Sequence, residues 1–146
     1  MDRTQVIEAL NHDLRAEVSA VELYTAHAEA ISQDAIAQGV RAIMAVETRH
    51  AHDLVDRIKA LGGTPTERGG VETVAGRAVG AASAQASTAD MLHLELAEEQ
   101  QAIRDYASQI AEIMNDEETL DMLEEHLVDE MEHARWLKAQ IVALST

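Results

Sequence analysis

Two four-residue segments far apart in the chain have the same form. Glu47-Thr48-Arg49-His50 and Glu130-Met131-Glu132-His133 are both Glu-x-x-His, and each continues with Ala and then Leu at matched positions (Ala51 and Leu54; Ala134 and Leu137). On a helix, residues i and i+3 share a face about 60° wide, so one carboxylate and one imidazole point at the same spot. A hard oxygen beside a borderline nitrogen suits a transition ion. A single Glu-x-x-His arises by chance in acidic helices. A duplicate with matching flanks constrains the chain far more.

Each copy is preceded by a second matched segment. Glu17 has Ala20 at +3 and Tyr24 at +7, and Glu99 has Ala102 at +3 and Tyr106 at +7. The step from Glu17 to Glu47 is 30 residues, and from Glu99 to Glu130 it is 31. The chain therefore reads as a tandem repeat: a Glu helix, then a Glu-x-x-His helix, twice. That is the pattern of a di-metal carboxylate four-helix bundle.

Composition agrees. The 146 residues suffice for one domain with its own core, spanning 1–146. With no Cys there is no disulfide frame, thiolate site or iron–sulfur cluster. A single Pro and only 2% aromatic residues favour an all-α chain. The first residues lack a charged segment followed by an apolar run, and no apolar stretch has the length of a membrane span. A soluble, cytoplasmic protein is expected, with no membrane partner. The net charge of −16 repels nucleic acid and anionic lipid and suits a chain that takes up cations.

Helical spacing places the elements. Val6, Leu10, Leu14, Glu17, Val21 and Tyr24 form one stripe of a helix from about residue 3 to 31. After a polar break at Ser32-Gln33-Asp34, a second helix runs to about Leu61, with Val40, Ile43, Met44, Glu47, His50, Leu54 and Ile58 inward. Gly62-Gly63 and Pro65 end it. Residues 62–85 are poor in large apolar side chains and long enough to cross a bundle end to end; Val71, Val74, Ala78 and Val79 suggest a short helix within them. A third helix runs from about Thr88 to Met114, with Leu92, Glu95 or Leu96, Glu99, Ile103, Tyr106 and Ile110 inward. Asn115-Asp116-Glu117-Glu118 reads as a break and a capping box, and a fourth helix continues to about Leu144. Short, long and short connections give an up-down-down-up bundle whose one long crossover joins helices two and three.

Glu17, Glu47, His50, Glu99, Glu130 and His133 then converge at mid-bundle. Burying four carboxylates without cations is prohibitive. With neutral imidazoles the set carries −4, which two divalent ions neutralise; Fe or Mn suits the donors, and Zn is acceptable. Tyr24 and Tyr106 lie two turns beyond Glu17 and Glu99, placed to hydrogen-bond ligand carboxylates across the bundle. His126 lies one turn before Glu130 on its face and reads foremost as a core histidine, with ligand or proton relay as the other readings. His12, His27, His52 and His93 read as surface or boundary residues.

With these residues in place, residues 5–61 and 88–140 resemble the ferritin-like superfamily, and bacterioferritin above all. The resemblance implies that Glu17 and Glu99 are terminal ligands, that Glu47 and Glu130 bridge, and that His50 and His133 each hold one metal. Glu95 is a rival to Glu99, or an accessory ligand as in rubrerythrin; Ala102 and Tyr106 favour Glu99. Thr48 stands where bacterioferritin has its haem-binding Met, so no haem is expected. The chain also stops about two turns after Trp136, where bacterioferritin has a fifth helix used in building 24-subunit cages.

The function expected from the resemblance is a di-iron oxidase turning Fe(II) into Fe(III) with O2 or H2O2, a ferroxidase in iron handling. Glu47, Glu130, Tyr24 and Tyr106 are its working residues, and any reductant comes from outside the chain. Rival readings are a rubrerythrin-like peroxidase, a Mn catalase, or a metal-binding bundle without turnover. A homodimer or another small homo-oligomer is expected, paired along a face with Ala26, Ala30, Ile36 and Ala37.

Overall fold

The computed structural model describes residues 1–66 and 71–146, in the order α1 (Arg3–Ala30), α2 (Asp34–Ala60), α3 (Val71–Ser83), α4 (Thr88–Glu112) and α5 (Glu117–Leu144). The helix limits follow local chemistry. Asp2 and Gln5 form a reciprocal capping box at 2.8 and 2.9 Å, satisfying two orphan donors of α1. Gly62 turns to φ +83°, and the Gly63 and Gly62 amides donate to the Ile58 and Lys59 carbonyls, closing α2. Ser87 caps α4, and Asp116 caps α5. Ser32 caps nothing at the start of α2, where Gln33 is the N-cap without a side-chain bond.

Cross-helix bonds set the directions. Between α1 and α4, Asp13 meets Gln109 while His27 meets Glu95, so the two run oppositely. Between α2 and α5, His50 meets Asp129 while Arg57 meets Asp116. Hence α2 and α4 are parallel, joined by the long crossover, as expected. The suggested helix in that crossover is α3; the side chain of Val71 lies outside the described residues.

The core comes in two apolar layers. One gathers Leu23, Ile31, Val40, Ile43, Met91, Leu92 and Leu137; the other gathers Val6, Leu10, Leu14, Leu54, Ile58, Ile113 and Leu123. Each fully buried aliphatic side chain contributes about 1.5–3 kcal/mol. The expected ligands lie between these layers, so the fold rests on plugs above and below a polar middle. Gly39 belongs to the packing: a Cβ there would lie 2.1 Å from Cζ2 of Trp136.

α3 packs along α1. A Cβ on Gly76 would lie 2.8 Å from the Ser19 carbonyl oxygen, and one on Gly80 would lie 3.0 Å from Ala26 Cβ, so both glycines permit close approach. This corrects the expected pairing face. Ala26 is covered by α3, Ile36 and Ala37 belong to the core, and of the four only Ala30 is exposed. Among the described residues no helix is long and apolar enough to cross a membrane.

Candidate metal centre

All six expected ligands reach the middle of the bundle. Each is buried, from 0% exposure for His50 and Glu130 to 8% for His133. They form two quartets. Glu17, Glu47, His50 and Glu130 offer one set of donor atoms within 4.8 Å of one another, and Glu47, Glu99, Glu130 and His133 offer the other. Glu47 and Glu130 belong to both.

The donors approach closely without satisfying one another. His50 Nδ1 lies 3.0 Å from Glu130 Oε1 and 3.4 Å from Glu17 Oε1. His133 Nδ1 lies 3.0 Å from Glu47 Oε1 and 3.3 Å from Glu99 Oε2. Yet His50 Nδ1, Glu17 Oε2, Glu47 Oε1 and both oxygens of Glu130 are buried with no hydrogen-bond partner. Unpaired buried acceptors converging on common points fit cations. The donor set, oxygen-rich with one nitrogen per quartet, fits iron or manganese.

Electrostatics agree. Burial, reinforced by Glu17, pushes the Glu47 carboxyl well above the usual range, and burial with Glu130 does the same to Glu99. Burial opposes charge on Glu130, but its close neighbours Glu99, His133 and His50 outweigh it and lower its pKa. Burial also opposes charge on the imidazoles, but the carboxylates facing them, Glu130 first, raise His50 to about 10 and His133 to about 9. Without metal, protons hold the carboxylates together; arriving cations displace them.

Each tyrosine crosses to the other half of the repeat. The Tyr24 hydroxyl donates to Glu99 Oε1 at 2.5 Å, and the Tyr106 hydroxyl donates to Glu17 Oε1. Burial raises both phenol pKa values well above their usual range, so both remain donors. A pocket of about 40 Å³ between α1 and α4 reaches Glu17, Glu47, Glu99 and Glu130, with Ala16, Ala20 and Ala102 in its wall and Glu98 and Asp105 beside them.

Glu95 does not join either quartet. It is buried against His27, with Nδ1 2.8 Å from Glu95 Oε1, and His27 Nε2 lies 2.6 Å from Ser83 Oγ on α3. His27, expected at the surface or a boundary, is fully buried. His126 is a buried neighbour outside the quartets, stacked on His50 with centroids 3.9 Å apart and held by Asp53 at 3.1 Å.

The sequence reading missed Asp129, which bonds His50 Nε2 at 2.9 Å and is itself held by Arg49. A neutral imidazole that donates from Nε2 to a carboxylate presents a bare Nδ1 to the centre. Also missed was Asp13, buried with Gln109 at 2.8 Å; burial pushes its carboxyl up to about 8. Periodicity was the available signal: Asp13, His27 and Gln109 each lie three residues after a stripe residue (Leu10, Tyr24 and Tyr106).

Comparisons with known proteins agree with this fold. The family model described as a ferritin-like domain matches residues 7–146. Among solved structures, the dodecameric thioferritin of Bacteroides fragilis, a bacterioferritin-related protein, superposes with a TM-score of 0.82 at 20% identity, over 99% of this chain and 89% of that one. Mycobacterium tuberculosis bacterioferritin BfrA gives 0.82 at 23% identity, over 99% and 88%. A ferritin-like di-iron carboxylate protein of Bacillus anthracis gives 0.77 at 25%, over 97% and 99%. A search of curated proteins finds no match. With the matched segment spanning nearly the whole sequence, the chain belongs to the ferritin-like domain family.

Proposed function

We propose that this protein binds two iron ions in its six-residue centre and oxidises Fe(II) to Fe(III) with O2 or H2O2, as a ferroxidase in iron handling. What carries the reading is the pair of donor quartets that share Glu47 and Glu130. A shared carboxylate can give one oxygen to each of two ions, which sets them roughly 3.5–4 Å apart. Two Fe(II) ions at that spacing can pass two electrons to one oxidant molecule.

In this reading Glu47 and Glu130 bridge, Glu17 and Glu99 are terminal, and His50 and His133 each serve one ion. Tyr24 and Tyr106 would fix the orientation of Glu99 and Glu17 by donating to one oxygen of each. Asp129 fixes the tautomer of His50. The four carboxylates neutralise two divalent ions, so loading removes the burial penalty that protons otherwise relieve. Haem is not part of the proposal: Thr48 has no thioether, and its hydroxyl bonds the Met44 carbonyl at 2.9 Å. One of the similar solved structures is a dodecamer, and homo-oligomeric assembly of this chain is part of the proposal.

An aerobic Fe(II) titration tests it, following Fe(III) absorbance and oxidant consumption in wild type and in Glu130→Ala. Wild type should oxidise two Fe(II) per chain rapidly, and the variant should lose both the rate and the paired binding. Its apo form should keep its helicity, because the apolar layers carry the fold. A wild type that binds metal but is silent in air would make the chain a metal-binding bundle. Consumption of H2O2 without net iron oxidation would make it a peroxidase or catalase.

A further inference from the structure

His126 belongs to neither quartet, yet it is only 1% exposed. The equivalent position in the other half of the repeat is Ile43: each stands one turn before the Glu of a Glu-x-x-His. An imidazole buried where an aliphatic side chain would fill the space must give up water at two ring nitrogens. Only one of them is compensated. A carboxylate accepts, so Nε2 carries the proton and donates to Asp53 Oδ2 at 3.1 Å. Nδ1 is buried with no hydrogen-bond partner. Filling the core does not call for this residue.

Its ring contacts do. The face of His126 lies on His50, with centroids 3.9 Å apart and planes 23° apart, and Tyr106 meets it edge to face at 5.7 Å and 70°. Both neighbours lead to the same quartet. His50 is one of its donors, and the Tyr106 hydroxyl donates to another, Glu17. Glu47 and Glu130 are shared with the second quartet, so Glu17 and His50 are the two donors that belong to the first alone. The single hydrogen bond between His50 Nε2 and Asp129 fixes where the ring points but not its tilt about that line. A flat ring stacked on its face fixes the tilt; isoleucine offers no flat face. Asp53 in turn keeps the ring of His126 from rotating. It stands on α2 one turn beyond His50, and His126 stands on α5 one turn before Glu130, so the clamp joins the two helices that carry these donors.

We propose that His126 is a positioning residue: held by Asp53, it sets the ring plane of His50 and, through Tyr106, the carboxylate of Glu17, so that the quartet of Glu17, Glu47, His50 and Glu130 is the first of the two to fill. This deepens the two-ion reading above and rests on it. His126 itself touches no metal in this arrangement. It acts by keeping two donors in place before an ion arrives, which spares the ordering that binding would otherwise require.

Anaerobic cobalt(II) titration of the full chain tests the role, with calorimetry to separate the two binding steps and visible absorption to report the geometry around each ion. Wild type should fill in two resolved steps. His126→Ile gives this half the residue of the other. It should weaken the tighter step about tenfold, change the absorption bands of that ion and leave the weaker step as it is. His126→Phe keeps a flat ring without the bond to Asp53 and should recover most of the loss. Asp53→Ala, at a partly exposed position outside the core, frees the ring and should weaken the same step roughly threefold. Circular dichroism of the metal-free forms shows which variants are folded. A side chain that only filled space would leave the bands unchanged. A tighter step indifferent to both His126→Ile and Asp53→Ala, equal weakening of both steps, or a folded His126→Phe no better than His126→Ile would overturn the positioning role and leave the paired centre standing. So would a wild type that takes up both ions in one step of equal affinity. A wild type that binds fewer than two ions would sink the two-ion reading and this role with it.

Discussion

The two halves of the six-residue cluster repeat in sequence but not in support. His50 is held on every side. Asp129 takes its Nε2, Arg49 backs Asp129, and the ring of His126 lies flat against it, anchored in turn by Asp53. His133 has none of this. Its side chain is 10% exposed, and among the described residues no carboxylate pairs with its Nε2. The repeat explains why. The positions equivalent to Asp129, His126 and Asp53 in the other half are Val46, Ile43 and Trp136. The flanking layers differ as well: acid Asp13 meets the amide of Gln109, while its counterpart Glu95 meets the imidazole of His27. The donors repeat while their surroundings differ. The half containing His50 should therefore hold its metal more tightly than the half containing His133.

The most direct way to break this comparison is Asp129→Ala. Losing the partner that orients a ligating imidazole should weaken the tighter of two anaerobic Fe(II) binding steps about 10–100-fold and leave the weaker step alone. Calorimetry resolves the steps, and equal weakening of both would mean that the halves are equivalent. Next in size is Glu95→Leu in the metal-free protein. It leaves buried His27 without its acceptor and should destabilise the fold by about 2 kcal/mol in urea.

The counterpart substitution, Asp13→Asn, should have the opposite sign. Burial raises the native pKa of Asp13 from 3.8 to about 8. The unfolded chain gives up this proton near pH 4, while the folded chain keeps it to about pH 8. Asp13 thus costs wild type stability progressively as pH rises between those values. The Asn variant should match wild type at low pH and melt on the order of 10 °C higher at pH 8. A constant Tm difference across that range would show that Asp13 is ionised in the fold.

How much of this was legible depended on whether a feature acts along one helix or between two. The convergence of the six residues was legible because Glu47 with His50 and Glu130 with His133 are local pairs, and their repetition lifted them above chance. The end of α2 was legible because Gly62 can adopt the backbone conformation that closes a helix. Asp129 was not. Its role depends on the rotation of α5 against α2, and next to Glu130 it looks like one more surface acid. His27, Asp13 and Gln109 sat at inward positions, but a polar residue on an apolar stripe reads as a boundary unless its partner is known. Glu95 shows the reverse. Its position one turn from Glu99 suggested a ligand, and the buried imidazole across the seam claims it instead. The seat of α3 was hidden because Gly76 and Gly80 look like helix-weakening residues until α1 is seen against them.

The notch at Gly39 has a practical consequence. The indole that fills it belongs to the only tryptophan in the chain, Trp136, three residues beyond His133 on the same helix. The molecule thus carries its own fluorophore, wedged in place, about one turn from the less supported half of the centre. Emission from that single ring can report the filling of this half without any label.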